Sequence, residues 1–463
     1  MADLGWKTKR VTSVDCIPIK SPRKLLGSNK LSVPNLASLR GCCAAELEAA
    51  SSSACSAYEH YLRLPELRKL WGRREFPDWK SEPLIRPALH ALEITFRFVS
   101  TVLSDPRPYA NAGEWERRLE SLAVTQLQLI GALVESEEGS APIAGSSSNS
   151  TGTLARGGSS AEVWRVPLGA STVVSQTSEA SLLPRLAAWR RSEAAAERIQ
   201  YAVECAMRRC TYTLGLGEPN LAGKQCLDYD SVVKPHALHA LRQNPYHDQI
   251  QNHENQALYT IYQILESWVQ SATELLHRIE ERIETKRFSL AAVDCFLLER
   301  VWKLLTDTDD LHLLMDPADL LRLKSQLDIR SETVPFCFRS AALVELTQRC
   351  RDLKQWVPQI LGVEADPAGG PRVQDAAMGL YRERAAPEKI HLLQGLQAVE
   401  AAVKRFFYSN KQVVEAVVGS LEARGAGESL SQVFLEPTYF PSLDAAKTFL
   451  GNELSHRPAN GGS

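Results

Sequence analysis

Apolar residues recur along most of this chain with the spacing of packed α-helices. Residues three and four positions apart lie on one side of a helix, so a long run at that spacing predicts an amphipathic helix. The longest run follows His253 and comprises Leu258, Ile261, Leu265, Trp268, Ala272, Leu275, Ile279 and Ile283. Two-residue alternation, typical of strands, is sustained best over residues 162–174 and is short there. The pattern therefore predicts an all-α fold, most simply a helical bundle.

Changes in composition predict how the chain is divided. Residues 1–45 are rich in Lys, Arg, Ser and Pro with little apolar periodicity, which predicts a disordered basic tail. The remaining predicted segments are an N-terminal helical region over 46–138, a Ser/Gly-rich linker or loop over 139–180, a second helical domain over 181–455 and a disordered C-terminus over 456–463.

Overall charge argues against two classes of partner. The 463 residues include 53 Lys and Arg and 55 Asp and Glu, so the formal net charge is −2. This balance gives no electrostatic reason to expect nucleic acid or an anionic membrane as a partner. No apolar run approaches the roughly 20 residues that a membrane span needs, and no secretory signal is visible. The ten cysteines contain no C-x-x-C pair. We therefore expect free thiols in a reducing compartment, the cytoplasm, with the nucleus as a second location.

Familiar catalytic motifs are missing from the sequence. It contains no Walker loop, G-x-S-x-G, H-E-x-x-H or EF-hand loop. Four histidines that follow one another closely could ligate a metal: His236, His239, His247 and His253. Pro235 and Asn244-Pro245 would break the helix that presents them, so we favour surface and capping roles. No metal site is predicted.

Several long segments carry a resemblance to a known family. They are CSAYEHYLRLPELRKLW (Cys55–Trp71), PALHALEITFRFVSTVLSDPRPY (Pro87–Tyr109), EWERRLESLA (Glu114–Ala123) and NPYHDQIQNHENQALYTIYQILESW (Asn244–Trp268). These segments closely resemble the plant nematode-resistance HSPRO family. The resemblance implies a stress-induced regulator of basal defence that contacts the βγ-type regulatory subunit of the SNF-related protein kinase.

A second resemblance concerns the predicted domain 181–455. Its His253–Trp268 segment is similar to the haem-pocket helix of tryptophan 2,3-dioxygenases, H-D-E-x-x-F-x-x-x-H-Q-x-x-E-L-W. Met315–Leu327 resembles their M-T-x-x-D-F-x-x-F-R-x-x-L block, and Val417–Ser429 resembles their T-I-G-S-K-x-G-T-G-G-S-S-G segment. Tyr58-x-x-Tyr61-Leu62-x-Leu64 is similar to their Y-x-x-Y-L-x-L opening. The resemblance implies a helical bundle of the tryptophan/indoleamine 2,3-dioxygenase-like fold.

The same alignment implies that the reaction is lost. Asn410 stands where the enzymes carry the histidine that ligates the haem iron, and a carboxamide oxygen is a poor ligand for ferrous haem. Tyr262 replaces the distal histidine, and Lys324 replaces the arginine that grips the substrate carboxylate. We interpret these three residues as a vestigial pocket. No catalytic residue, metal site or cofactor is predicted.

Three functions follow from these readings. The first is a non-catalytic regulator, a pseudoenzyme that acts through protein–protein interaction. The alternative is a haem-binding sensor or a dioxygenase acting on an indole amine, in which His277, His312 or His391 supplies the iron ligand. The third is a small-molecule binding module that keeps the pocket without haem. Glu266 and Trp268 are expected to be a buried or capping carboxylate and a core aromatic residue.

Overall fold

A computed structural model describes thirteen stretches of the chain. They are residues 58–72, 82–104, 111–134, 146–147, 193–210, 212–216, 225–227, 229–250, 252–328, 340–364, 372–384, 386–419 and 433–456. The predicted tail 1–45 lies outside them, as do the linker 139–180 apart from residues 146–147 and the C-terminus 456–463 apart from residue 456. Among the described residues no helix is long and apolar enough to cross a membrane.

Helices make up nearly all of the described chain, which confirms the predicted all-α class. They are α1 (Leu64–Trp71), α2 (Glu82–Ser104), α3 (Ala112–Leu133), α4 (Glu193–Ala206), α5 (Tyr229–Val233), α6 (Pro235–His239), α7 (His253–Glu284), α8 (Phe288–Asp309), α9 (Pro317–Asp328), α10 (Ala341–Asp352), α11 (Val357–Leu361), α12 (Arg372–Glu383), α13 (Pro387–Val418) and α14 (Pro441–His456). Residues 58–62 are also helical, and short 3₁₀ turns occur at Met207–Arg209, Asp310–Leu314, Leu353–Trp356 and Val433–Leu435.

The long helix predicted after His253 is α7. Asn252 caps it, because its side-chain oxygen accepts a hydrogen bond from the Glu254 amide at 2.8 Å. Every residue of the predicted apolar face is buried. Polar residues from its other faces, among them Thr260, Gln263 and Ser267, are buried too. Helix α7 is therefore covered on several sides, whereas an amphipathic surface helix would have one exposed face.

Helix α2 contains two prolines near its N-terminal end. It starts at Glu82, with Pro83 as its second residue and Pro87 as its sixth. Proline lacks an N–H and costs a helix one backbone hydrogen bond. The bond that Pro87 cannot make would reach the carbonyl of Pro83, in the first turn of the helix.

The core is built around α7 and α8. Helix α7 packs against α2 and α8, and α8 also packs along α13. The α8–α13 approach is close at Gly395, where an added Cβ would lie 2.8 Å from the Cβ of Cys295. Residues of the predicted region 46–138 and of the predicted domain 181–455 contribute to the same hydrophobic cluster. The boundaries proposed for these segments stay a prediction.

Three very short strands form one small sheet. They are β1 (Ser146–Ser147), β2 (Tyr212–Thr213) and β3 (Gln225–Leu227), in the order β1-β3-β2. Ser146 and Ser147 pair antiparallel with Leu227 and Cys226. Two residues of the predicted linker or loop therefore pair with β3 in this sheet. Ladder bonds use backbone groups, so a serine run can form them without contributing a core.

Candidate functional site

Residues 58–71 pack against the N-terminal half of α7, although they lie far away in sequence. The Tyr58 hydroxyl donates to Glu266 Oε1 at 2.9 Å across a separation of 208 residues. The Tyr61 hydroxyl donates to Asn255 Oδ1 at 2.8 Å. The Tyr58 ring also meets the Tyr262 ring edge-on, with 5.7 Å between centroids. The two segments that resemble dioxygenase motifs are therefore direct neighbours.

Tyr262 leads to a second group of side chains, at the end of α8. We call Tyr262, Asp309, His312 and Asn410 the His312 cluster. The His312 and Tyr262 rings lie 5.3 Å apart between centroids. Asn410 of α13 donates from Nδ2 to Asp309 Oδ2 at 2.9 Å. Two of the three vestigial-pocket residues, Tyr262 and Asn410, are thus linked through Asp309 and His312.

His312 is held in a defined orientation. Its Nδ1 lies 2.7 Å from the Asp309 carbonyl oxygen and 3.1 Å from Asp309 Oδ1. Both are acceptors, so Nδ1 carries the hydrogen and, in the neutral ring, Nε2 presents a lone pair. His312 is 5% exposed, and Nε2 has no hydrogen-bond partner. A buried imidazole oriented in this way can act as a base or a metal ligand.

Lys324, the third residue of the predicted pocket, is not shown to join this cluster. Its backbone lies in α9, which packs against α7 and α13. Its side chain lies outside the described residues.

Glu266 is the centre of a third arrangement. We call Tyr58, Glu266 and Ser340 the Glu266 cluster. Ser340 caps α10, since its Oγ accepts from the Leu343 amide at 3.1 Å, and it also donates to Glu266 Oε2 at 2.9 Å. Glu266 is 2% exposed, which confirms the expected buried carboxylate. Burial raises the pKa of this carboxyl to about 7, although the two hydroxyl donors and the charge of Arg68 act to lower it.

Comparison with known proteins identifies the family. The regions described as Hs1pro-1 N-terminus and Hs1pro-1 protein C-terminus match residues 1–204 and 207–456. The chain belongs to the Hs1pro-1 family. It is 49% identical over 463 residues to "Nematode resistance protein-like HSPRO2" of Arabidopsis thaliana, which covers 98% of this chain and 100% of that protein. It is 48% identical over 462 residues to "Nematode resistance protein-like HSPRO1" of the same plant, covering 97% and 99%.

These matches confirm the predicted nematode-resistance family but leave the dioxygenase resemblance as a prediction. No solved structure matches the chain significantly. The two Hs1pro-1 regions meet between residues 204 and 207, at the end of α4.

The other histidines of this Hs1pro-1 protein that the sequence suggested as possible metal or iron ligands have local partners or lie at the surface. His239 Nε2 is 2.9 Å from Glu93 Oε1. Arg349 donates to His277 Nε2 at 2.6 Å, and His391 is exposed. Across the stretches listed above, no three His, Cys, Asp or Glu residues are placed to hold a metal ion. Of the three histidines named as alternative iron ligands, His312 is the buried one.

Sequence reasoning missed a buried polar stripe on α2. It consists of Arg86, His90, Glu93 and Arg97, all 8% exposed or less. Burial lowers the pKa of His90 to about 3 and that of Arg97 to about 10. Glu93 accepts from the Tyr229 hydroxyl at 3.2 Å, and Arg97 donates to Gln263 at 3.2 Å. Polar residues at helical spacing on a second face are typical of the exposed side of an amphipathic helix, so the sequence carries no signal that this stripe is buried.

Proposed function

We propose that this protein is a non-catalytic regulator of plant stress and basal defence that acts by binding other proteins. The observation that carries the proposal is the similarity to two proteins named nematode resistance protein-like, which extends over nearly the whole of each chain. Similarity over nearly the whole of each chain supports a shared role as well as a shared fold.

The geometry of the His312 cluster supports the non-catalytic part of this proposal. The Asn410 amide, at the position of the haem-ligating histidine, is bonded to Asp309. Tyr262, at the distal position, is 5% exposed and packs between Tyr58 and His312. Both side chains therefore contribute to packing and internal hydrogen bonding, which supports a structural role for them.

The partner that we propose is the βγ-type regulatory subunit of the SNF-related protein kinase, on family resemblance. The test is a pull-down with both proteins purified and full-length, at several salt concentrations. The catalytic subunit of the same kinase, presented alone, is the matched control. We expect retention by the βγ-type subunit above the control. If both subunits retain the protein equally, or if neither retains it, the partner assignment is refuted. The proposed defence role would then depend on a different binding partner.

A haem sensor is the second candidate, and the orientation of His312 favours it. Asn410 does not fit an iron ligand, but His312 offers a buried Nε2 without a partner. Haemin titration followed by absorption spectroscopy tests this function. If it is correct, wild type shows a histidine-type Soret band that His312→Ala removes and His277→Ala, an exposed control, retains. Weak uptake that is the same in all three proteins would support the regulator.

A further inference from the structure

The Glu266 cluster joins three separate segments of the chain. Glu266 belongs to α7, Tyr58 to the helical residues 58–62, and Ser340 to the start of α10. Both oxygens of the carboxylate are used, one by each hydroxyl, at 2.9 Å. Because Tyr58 and Ser340 lie 208 and 74 residues from Glu266, these bonds hold segments that the covalent chain leaves apart.

Both hydroxyl donors are neutral, so neither cancels the charge of the carboxylate. From residues 58–71, Arg68 and Glu59 face it with opposite signs, and they pair with each other at 2.8 Å. From α10 the contact is Ser340. From the 3₁₀ turn Asp310–Leu314, His312 contacts Tyr262, which lies one turn before Glu266 on α7. Among the residues that the structure describes, nothing supplies a full counter-charge to an ionised Glu266, and a buried charge of this kind is costly.

The cost has a definite dependence on pH. Burial raises the pKa of Glu266 to about 7 in the folded chain, above the ordinary value of 4.5. The closed arrangement therefore binds a proton that an opened, solvated Glu266 releases. The contribution of this proton to closure is complete below the ordinary pKa of Glu266, and it is lost as the pH rises through the pKa of Glu266 in the folded chain.

We propose that Glu266 is a proton-controlled latch that, when protonated, holds residues 58–62 and the start of α10 against α7, and that loss of this proton favours their release. As a carboxylic acid, Glu266 keeps one oxygen as an acceptor and turns the other into a donor toward a hydroxyl oxygen. Both contacts can then persist without a buried charge. Ionisation restores the charge, and opening transfers it to water.

Amide hydrogen exchange in the full-length protein tests the latch. Protection factors for residues 58–71 and for α10, corrected for the intrinsic effect of pH, are measured between about pH 6 and about pH 8. We expect opening of both segments to rise about tenfold over this range in wild type, as the linkage between a folded pKa near 7 and an ordinary one requires. Glu266→Gln keeps the shape without the charge, so opening should stay constant. Helix α8 serves as the internal reference.

Tyr58→Phe separates the latch from a general loss of stability. It removes a hydroxyl that favours the ionised form, so the pH dependence should persist with its midpoint moved upward. Equal pH dependence in wild type and Glu266→Gln would overturn the proposal. A Tyr58→Phe midpoint that does not move would overturn it too. If Glu266→Gln does not fold, the direction of the Tyr58→Phe shift alone decides.

Discussion

Alanine at Gly395 sets two physical effects against each other. Gly395 lies within α13, where alanine is favoured over glycine by about 1 kcal/mol of helix propensity. However, its added Cβ would lie 2.8 Å from the Cys295 Cβ and 3.6 Å from the Ala292 carbonyl oxygen. Overpacking of this kind costs about 1–3 kcal/mol. The obstacle is the rigid start of a side chain on α8, so we expect Gly395→Ala to lower the free energy of unfolding by about 1 kcal/mol net.

Gly379 provides a matched control. It lies within α12, and an added Cβ there meets nothing within 4 Å. Gly379→Ala should therefore raise the free energy of unfolding by about 1 kcal/mol. Urea unfolding followed by far-ultraviolet circular dichroism compares the midpoints of the two variants at equal slope. Movement of both midpoints in the same direction would refute the argument that close approach dominates at Gly395.

A second substitution examines the cause directly. Cys295→Gly removes the atom that the new methyl group would meet. In a double-mutant cycle, Gly395→Ala should cost less in the Cys295→Gly background than in wild type. The interface matters for the candidate site, because α8 ends at Asp309 and α13 carries Asn410. If α8 and α13 are pushed apart, the bond between these two side chains should weaken as well.

Three further substitutions probe buried polar contacts. Asn410→Asp places a second carboxylate beside Asp309, and two like charges in contact repel each other. Thermal unfolding should therefore show a larger loss of stability near neutral pH than at about pH 5. A loss that is independent of pH would contradict the contact. Gln126→Leu removes the acceptor that Trp268 Nε1 reaches at 3.0 Å, and urea unfolding should show a loss of about 1–3 kcal/mol, against none if water replaces the amide. Asp294→Asn removes the charged partner of Arg278 and Arg282, each 2.6 Å away. The unfolding midpoint should fall by the equivalent of about 3–5 kcal/mol. A much smaller change would show that water already solvates these charges.

Sequence periodicity predicted α7 well and α2 only in part. The apolar face of α7 follows one uninterrupted stripe, so its burial could be read from spacing alone. In α2 the apolar residues Leu89 and Phe96 follow helical spacing, but that spacing does not indicate that Glu93 and Arg97 on another face are buried. Periodicity reports that one face avoids water, whereas burial of a second, polar face depends on which segments cover it. Those segments, including α5 and α6, are distant in sequence.

The contacts of the candidate site were also only partly predictable from the sequence. The alignment selected Tyr262 and Asn410 because of what they replace in an enzyme, and the structure brings both to one cluster. The residues that connect them, Asp309 and His312, belong to no motif, and their roles arise from the short turn after α8. Tyr58 reaches Glu266 across 208 residues, a pairing that spacing along the chain does not reveal. A resemblance therefore points to particular positions, whereas their hydrogen bonds and proton affinities must be read from the packed structure.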